Sequence, residues 1–148
     1  RITKWSDRLF YRLWGASLKY PVSYALGSFG DRGSLLIVRA LLLRGFSTYG
    51  DFLDGGEGIS TNILADRLKF LEAEGIINKT PDADNRRRII YSLTEKGFDL
   101  APVIFDLFLW SAQYDPETKA PKQMVERMQK DREAFLADIR EKVLRPRA

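Results

Sequence analysis

The sequence contains no cysteine and no histidine. These absences exclude a thiolate nucleophile, an imidazole base, a disulfide and nearly every transition-metal site. No nucleophile elbow, P-loop or glycine-rich dinucleotide turn is present. An enzyme that uses only Asp and Glu would need two carboxylates facing one cleft, and helical or strand spacing produces no such pair. We therefore expect a protein that is not an enzyme and that needs no cofactor.

Long apolar segments are also missing. A membrane-spanning helix needs about 20 apolar residues, and the longest candidates, residues 35–43 and 103–110, are short or interrupted. The first residues lack the hydrophobic region of a signal peptide. We expect a cytoplasmic protein that does not associate with membranes.

The amino-acid composition is that of an ordinary globular protein with a small positive net charge. Its 148 residues are 45% hydrophobic and 30% charged, enough to form one compact unit around a single core. Twenty-four Lys and Arg residues outnumber 20 Asp and Glu residues, for a net charge of +4. This net charge permits an anionic partner but is too small to indicate one. Whether the protein binds such a partner must be judged from the distribution of the charges.

The first half of the chain is predicted to be helical. Residues 4–14 have the spacing of an amphipathic helix, and residues 22–29 form a short helix that ends at Gly30. Ser34 is the predicted N-cap of an apolar helix that runs to Arg44. Ser47 is the predicted N-cap of another short helix, which ends near residue 53.

A further helix and a hairpin follow. Ser60 caps a helix over residues 61–74 that Gly75 ends, so two short helices are joined as in a helix-turn-helix. Residues 76–80 and 88–93 are rich in β-formers and flank a cluster of turn-forming residues, which predicts a β-hairpin. The predicted fold is therefore mainly α with a small β-hairpin wing, a winged helix-turn-helix.

The C-terminal third is predicted to consist of apolar helices. Thr94 caps a helix that continues past Pro102 to Trp110 and is apolar on nearly every side, so we expect it to be buried all round. Pro121 begins a later helical segment. We expect terminal helices at both ends of the chain to form a homodimer. The predicted parts are an N-terminal dimerisation helix at 1–19, a winged helix-turn-helix at 20–97 and C-terminal dimerisation helices at 98–148.

The helix at 61–74 has two distinct faces on a helical wheel. Its apolar arc, predicted to face the core, contains Ile63, Leu64, Leu68 and Leu71. Its outward arc is small and polar, which suits the DNA major groove as well as an ordinary solvated surface. Asn62 can pair with adenine, and Lys69 can reach guanine or phosphate. The DNA-contacting residues predicted on this helix are Thr61, Asn62, Ala65, Asp66 and Lys69.

The hairpin tip carries the stronger charge signal. Three successive arginines follow Asn85 there, and guanidinium groups at a wing can bind phosphates or enter a narrow minor groove. A solvated charge run balanced by nearby Asp residues is the alternative. Ser47 and Ser60, at helix starts, are expected to add phosphate contacts. The DNA-contacting residues predicted at the tip are Asn85, Arg86, Arg87 and Arg88.

One arginine of the helix at 61–74 is predicted to be structural. The wheel places Arg67 inside the apolar arc and not on the outward face. Asp31 is a candidate partner for its guanidinium.

A series of short motifs over residues 20–103 resembles the HxlR-type winged-helix transcription regulators, within the MarR-like superfamily. The motifs that carry the resemblance are Tyr20-Pro21-Val22, Phe29-Gly30-Asp31-Arg32, Ser34-Leu35-Leu36-Ile37, Gly58-Ile59-Ser60, Leu64, Arg67-Leu68, Leu71-Glu72, Gly75-Ile76-Ile77 and Tyr91-Ser92-Leu93-Thr94-Glu95-Lys96-Gly97. The resemblance implies a bacterial, homodimeric regulator, a repressor or an activator, that reads a pseudo-palindromic operator in double-stranded DNA.

Two positions depart from the family pattern. Tyr20 stands where the family usually has Cys, so thiol sensing is excluded. Gly33 stands where the family usually has Trp, which leaves room beside a helix predicted to be buried. Either another aromatic residue fills that room, with Trp14 and Trp110 as candidates, or a pocket there admits a small apolar effector.

A second class of function stays open. Winged helices also serve as protein-interaction modules, since a fold does not fix a function. Such a module would present apolar anchors where this chain has Asn62, Lys69 and the three arginines. The residues at these positions are polar or positively charged, which favours binding to nucleic acid over binding to a protein.

Overall fold

The computed structural model describes residues 20–55 and 58–144. These residues form eight helices and one two-stranded antiparallel sheet, which confirms a mainly α fold with a β-hairpin wing. The elements in chain order are α1 (Pro21–Phe29), α2 (Arg32–Leu43), α3 (Tyr49–Asp54), α4 (Thr61–Ala73), β1 (Ile77–Pro81), β2 (Ile89–Leu93), α5 (Glu95–Phe98), α6 (Ala101–Tyr114), α7 (Lys122–Lys130) and α8 (Arg132–Val143).

The chain divides into two units, residues 1–31 and residues 32–148. The predicted helix at 4–14 lies outside the described residues. The predicted boundaries after residues 19 and 97, and the dimerisation roles of the terminal segments, stay predictions. In the first unit, Pro21 occupies the first turn of α1, and the Gly30 N–H donates to the Leu26 carbonyl at its end. The short helix expected there is confirmed.

Helix α2 supplies the centre of the core in the second unit. Ile37 and Val38 are completely buried, as the apolar pattern predicted. The predicted cap at Ser34 is wrong, because the helix already begins at Arg32. Ser34 is four residues before Val38, so it lies on the buried side of the helix and not at its end.

Helix α4 packs through three of the four aliphatic residues assigned to its apolar arc. Leu64, Leu68 and Leu71 are buried, whereas Ile63 is 53% exposed. The prediction that Ile63 faces the core was therefore wrong. Successive helical residues are rotated by about 100°, so Ile63 lies well outside the stripe centred on Leu64.

The segment after the hairpin forms two helices and not the single one predicted. Thr94 does cap α5, since its hydroxyl accepts from the Gly97 N–H at 3.0 Å. The helix stops at Phe98, and α6 begins at Ala101 with Pro102 in its first turn. Pro102 has no N–H and its ring would clash with the carbonyl of residue 98, so a continuous helix is disfavoured.

Helix α6 is not buried all round, which corrects a second expectation. One side packs inward through Ile104 and Phe105, while the opposite side remains open to solvent in this chain. Four exposed residues at spacings of four, three and four form what we call the α6 stripe: Val103, Leu107, Trp110 and Tyr114.

Two C-terminal helices, α7 and α8, complete the second unit. Pro121 is the N-cap of α7, and the backbone turns at Asp131 before α8. The Phe135 ring stacks on Phe105 with centroids 5.3 Å apart. Ion pairs reinforce this packing, joining Arg132 to Asp106, Arg140 to Glu95 and Arg127 to Asp138. Within the described residues, no helix is long and apolar enough to cross a membrane.

Candidate nucleic-acid interface

Helix α4 begins at a capped turn that ties it to the preceding helix. The Ser60 hydroxyl accepts a hydrogen bond from the Ile63 N–H at 3.3 Å, which confirms the predicted cap. The Tyr49 hydroxyl, on α3, donates to the Thr61 carbonyl at 3.3 Å. These bonds fix the first turn of the second helix against the first helix, as a helix-turn-helix requires.

The outward side of α4 carries every DNA-contacting residue predicted on it. All five are exposed, as the sequence pattern indicated. They are polar or small, so a base edge can approach this side closely. The residues are Thr61, Asn62, Ala65, Asp66 and Lys69.

An ion pair on this helix offsets the negative charge of Asp66, the acidic residue on its outward side. The guanidinium of Arg67 donates to the Asp66 carboxylate through Nε at 3.1 Å and Nη2 at 2.5 Å. The same guanidinium lies 4.7 Å from the ring centroid of Phe70. Arg67 is thus held along the helix surface by a neighbour, and its predicted pairing with Asp31 stays a prediction.

The C-terminal end of α4 is anchored by the segment that follows the hairpin. The Thr94 hydroxyl donates to the Gly75 carbonyl at 2.6 Å, and Lys96 Nζ donates to the Glu74 carbonyl at 2.7 Å. Gly75 has a φ of +73°, which lets the chain reverse after the helix. A lysine at the final carbonyls also opposes the negative end of the helix dipole. The helix is therefore fixed at both ends.

The hairpin wing places its turn between β1 and β2. The strands pair antiparallel from Ile77 opposite Leu93 to Pro81 opposite Ile89, one residue from the predicted bounds. Beyond the last pair, the Asp82 N–H donates to the Arg88 carbonyl at 2.8 Å. A backbone bond thus extends the ladder into the turn.

The three arginines of the tip are not equivalent. Arg88 donates to Asp82 Oδ2 through Nε at 2.8 Å and Nη2 at 2.5 Å, and the Asp82 side chain is only 12% exposed. Arg88 therefore closes the base of the turn. The side chains of Arg86 and Arg87 are exposed, and no ion pair holds either one among the residues described. They are available to a polyanion.

Asn85 has a structural part in this turn. Its Oδ1 accepts the Arg87 N–H at 3.2 Å, and its carbonyl accepts the Arg88 N–H at 2.8 Å. The side chain thereby shapes the segment that carries the arginines. Its predicted contact with DNA is untested.

Thr48 and not Ser47 is the N-cap of α3, which corrects the sequence prediction. The Thr48 hydroxyl accepts from the Asp51 N–H, and the Asp51 carboxylate accepts from the Ser47 and Thr48 N–H groups at 2.9 and 3.0 Å. These bonds form a capping box, which needs an acidic or amide residue three positions after the cap. Gly50, three positions after Ser47, cannot supply one.

Ser47 instead joins the helix-turn-helix to the wing. Its side chain is nearly buried, and its carbonyl accepts the Tyr91 N–H at 2.7 Å. The hydrogen bond from the Ser47 N–H is the largest cause holding the pKa of Asp51 below its usual value. The carboxylate is thus stabilised in its charged form.

Several residues that position the interface were not singled out from the sequence. Tyr49, Thr48 and Lys96 each hold one end of a helix by a side-chain hydrogen bond. The Thr48-x-x-Asp51 spacing was a readable capping signal. Tyr49 and Lys96 act on residues 12 and 22 positions away, which spacing alone does not reveal.

The residues proposed for an effector pocket are only partly described. Gly33 is buried in α2, and Trp14 lies outside the described residues. Trp110 is 65% exposed and packs against Tyr114 with ring centroids 5.3 Å apart. The effector pocket stays a prediction. Across the described part of the chain, no three acidic side chains gather as a metal site would require.

Comparison with known proteins shows that the sequence is similar to helix-turn-helix transcriptional regulators. The model of the HxlR-like helix-turn-helix family matches residues 28–119. The chain is 34% identical over 84 residues to the HTH-type transcriptional regulator sll1512 of Synechocystis sp. and spans 62% of its length. It is also 34% identical over 76 residues, 51% of this chain, to YvaP of Bacillus subtilis, another HTH-type transcriptional regulator, of which it spans 70%.

A solved structure supports the same assignment of fold. PA1607, described as a candidate transcription factor, superposes with a TM-score of 0.63 at 32% identity. The superposition covers 72% of each chain. The fold of this chain, with its hairpin and helix-turn-helix, is thus similar to that of known regulators.

Proposed function

This chain belongs to the HxlR-like helix-turn-helix family, and from that premise we propose that it represses transcription as a homodimer bound to a pseudo-palindromic operator. As a member of the family it is a DNA-binding transcriptional regulator and not an enzyme. We place its action in the bacterial cytoplasm, where the chromosome is accessible.

The observation that carries the proposal is that α4 exposes a group that can pair with bases, whereas the wing exposes positive charges. The first turn of α4 exposes Asn62, whose amide can pair with both N6 and N7 of adenine in the major groove. The wing exposes Arg86 and Arg87, whose charges suit phosphates or a narrow minor groove. One element reads bases while the other holds the backbone.

The first turn of α4 supports a phosphate contact as well. The N-terminus of a 13-residue helix carries free N–H groups and a partial positive charge. Ser60 and Thr61 are exposed there and can add hydroxyl donors. Lys69, two turns later on the outward side, is exposed and can reach guanine or phosphate.

The α6 stripe supports the homodimer. A row of four exposed apolar residues at spacings of four, three and four is the pattern of helices that pack against each other. A two-fold axis through such an interface repeats α4 in the opposite direction, which a pseudo-palindromic site mirrors. A dimer bound across the site where RNA polymerase enters would exclude the polymerase, which is the way in which we propose that this protein represses.

The proposal is tested by fluorescence anisotropy with two duplexes, the intergenic DNA upstream of the protein's own gene and a scrambled version. We expect tighter binding to the native sequence, weakened by added salt, because phosphate contacts release counterions. Equal and weak binding to both duplexes at low salt would contradict an operator in this upstream region and would leave a protein-interaction module or a regulator whose operator lies elsewhere.

Two substitutions separate the roles of α4 and the wing. Asn62→Ala should cost about 1–3 kcal/mol on the preferred duplex and relax the base preference. Arg87→Ala should weaken binding to all duplexes and reduce the salt slope by about one unit. Lys119→Ala, which removes an exposed positive charge outside both elements, is the control and should change neither quantity.

A further inference from the structure

Ile63 is the large aliphatic residue of α4 that the core does not use. The side chains of Leu64, Leu68 and Leu71 are buried, and that of Ile63 is 53% exposed in the first turn. Burial therefore does not explain an isoleucine at this position. A β-branched residue also has a lower helix propensity than Ala or Leu, so local helix stability does not explain it either.

The neighbours of Ile63 argue against a protein-docking patch. Asn62 precedes it, and Asp66 and Arg67, which form an ion pair, follow one turn later. A docking surface needs contiguous apolar area, and here one aliphatic side chain stands beside an amide and an ion pair. The surroundings suit a surface that offers hydrogen-bonding groups and an isolated apolar group together.

The major-groove edge of an A·T pair has this mixed chemistry. It offers the N6 donor and N7 acceptor of adenine beside the C5-methyl group of thymine. Residues in the first turn of a recognition helix are the ones that reach base edges. An amide at position 62 and a branched aliphatic group at position 63 match these two features with adjacent residues.

We propose that Ile63 is a specificity-determining residue that contacts the 5-methyl group of a thymine in the major groove. The inference rests on the proposed function, because it requires α4 to enter that groove. It adds to it an apolar reading of thymine that discriminates thymine from uracil, which differs from thymine only by the methyl group. The discrimination depends on Ile63 and not on hydrogen bonding.

The test uses the duplex that this protein enriches from a random DNA pool. Each thymine of that duplex is replaced in turn by deoxyuridine, which removes only the methyl group. Binding is then measured by anisotropy for the wild-type protein, for Ile63→Ala and for Ile63→Val. The control is Leu53→Ala, which removes another exposed aliphatic side chain from the helix-turn-helix.

For the wild-type protein we expect deoxyuridine at one position per half-site to weaken binding about three- to fivefold, the value of one buried methyl-sized group. Ile63→Ala should bind the two duplexes equally, and Ile63→Val should retain part of the difference. Leu53→Ala should retain it fully. Thermal unfolding should be nearly unchanged for Ile63→Ala, because the side chain is exposed.

Three results would overturn the inference, and only the last of them also overturns the proposed function. If a duplex is enriched and Ile63→Ala discriminates thymine from deoxyuridine as the wild type does, Ile63 does not read the methyl group, while the proposed function stands. The same conclusion follows if no deoxyuridine position affects the wild type. If no duplex is enriched from the pool, the proposed function fails and this inference fails with it.

Discussion

At the residue scale, neighbouring arginines of the wing differ, because among the described residues only Arg88 of the three forms an ion pair with a carboxylate. Arg88 is paired twice with Asp82, whose side chain is largely buried, whereas Arg88 itself is more than half exposed, so we expect a modest contribution to stability. Arg86 projects from the same turn and is exposed. Three adjacent arginines in a sequence look alike, and only the fold separates them.

This difference predicts opposite phenotypes. Arg88→Ala should lower the melting temperature by about 2–4 °C, the shift expected for about 1 kcal/mol in a domain of this size. Arg86→Ala should leave the melting temperature unchanged and weaken binding to every duplex. Differential scanning calorimetry and anisotropy on both variants would show this. A destabilised Arg86→Ala with a normal Arg88→Ala would contradict the assignment.

The Asp51 carboxylate makes stability depend on pH. Hydrogen bonds from the Ser47 and Thr48 backbones lower its pKa below the ordinary value of 3.8, so the unfolded chain takes up a proton more readily than the native one. Its stabilising contribution is therefore complete above that value and is lost as the pH falls through the lower native pKa.

Asp51→Asn should remove this contribution. The variant should be less stable than the wild type at neutral pH, and the difference should shrink as the pH falls below 3.8. Thermal unfolding followed across the acid range would measure the convergence. If the difference between the two proteins stayed constant with pH, the Asp51 charge would not contribute to the capping box.

At the element scale, the end of α4 depends on a close approach by α5. A Cβ atom at Gly97 would overlap the Ile76 carbonyl oxygen and come within 2.9 Å of Leu93 Cδ2. Backbone cannot move aside as a flexible side chain can, so only glycine fits there. The glycine lets the segment with Thr94 and Lys96 reach the carbonyls of Glu74 and Gly75, which directly follow α4.

Two alanine substitutions make a matched pair. Gly97→Ala should destabilise the protein by about 1–3 kcal/mol, the usual cost of overpacking. Gly50→Ala, in α3, has nothing nearer than 3.9 Å and should stabilise the protein by about 0.5 kcal/mol through the unfolded state. Urea denaturation would give both values, and a neutral Gly97→Ala would show that α5 can shift without cost.

Local signals predicted most of these elements, and long-range contacts explain the exceptions. The Ser60 cap, the positive φ of Gly75 and the hairpin follow from short patterns, and the structure has all three. The exposure of Ile63 and the solvent-facing side of α6 depend on which other elements pack against these helices. A helical wheel carries no information on that packing. The DNA contacts themselves depend on a partner and stay predictions.

At the scale of the whole molecule, the α6 stripe is an exposed apolar surface that packing within the described chain does not explain. Its four residues are each at least 39% exposed, although Ile104 and Phe105 on the other side of the same helix are buried. A second copy of the chain would cover this row through the same residues, as a two-fold axis requires. The stripe therefore connects the proposed dimer to the symmetry of the proposed operator.

Trp110→Asp should disrupt that association. A charge in the middle of an apolar interface would have to be desolvated, so light scattering should give half the wild-type mass. Binding to a two-fold site should weaken accordingly, with the melting temperature at low concentration little changed. Gln113→Asp, on the same helix but off the stripe, should remain dimeric. An unchanged mass for Trp110→Asp would contradict the role of the stripe.

The ion pair between Arg88 and Asp82 has a consequence for the thermodynamics of DNA binding. The turn of the wing is closed by its own hydrogen bonds, so its conformational entropy is lost during folding and not when DNA arrives. A wing that is already ordered docks as a rigid body. Calorimetric titrations at several temperatures should therefore give a modest negative heat-capacity change, without the large additional contribution of a segment that folds as it binds.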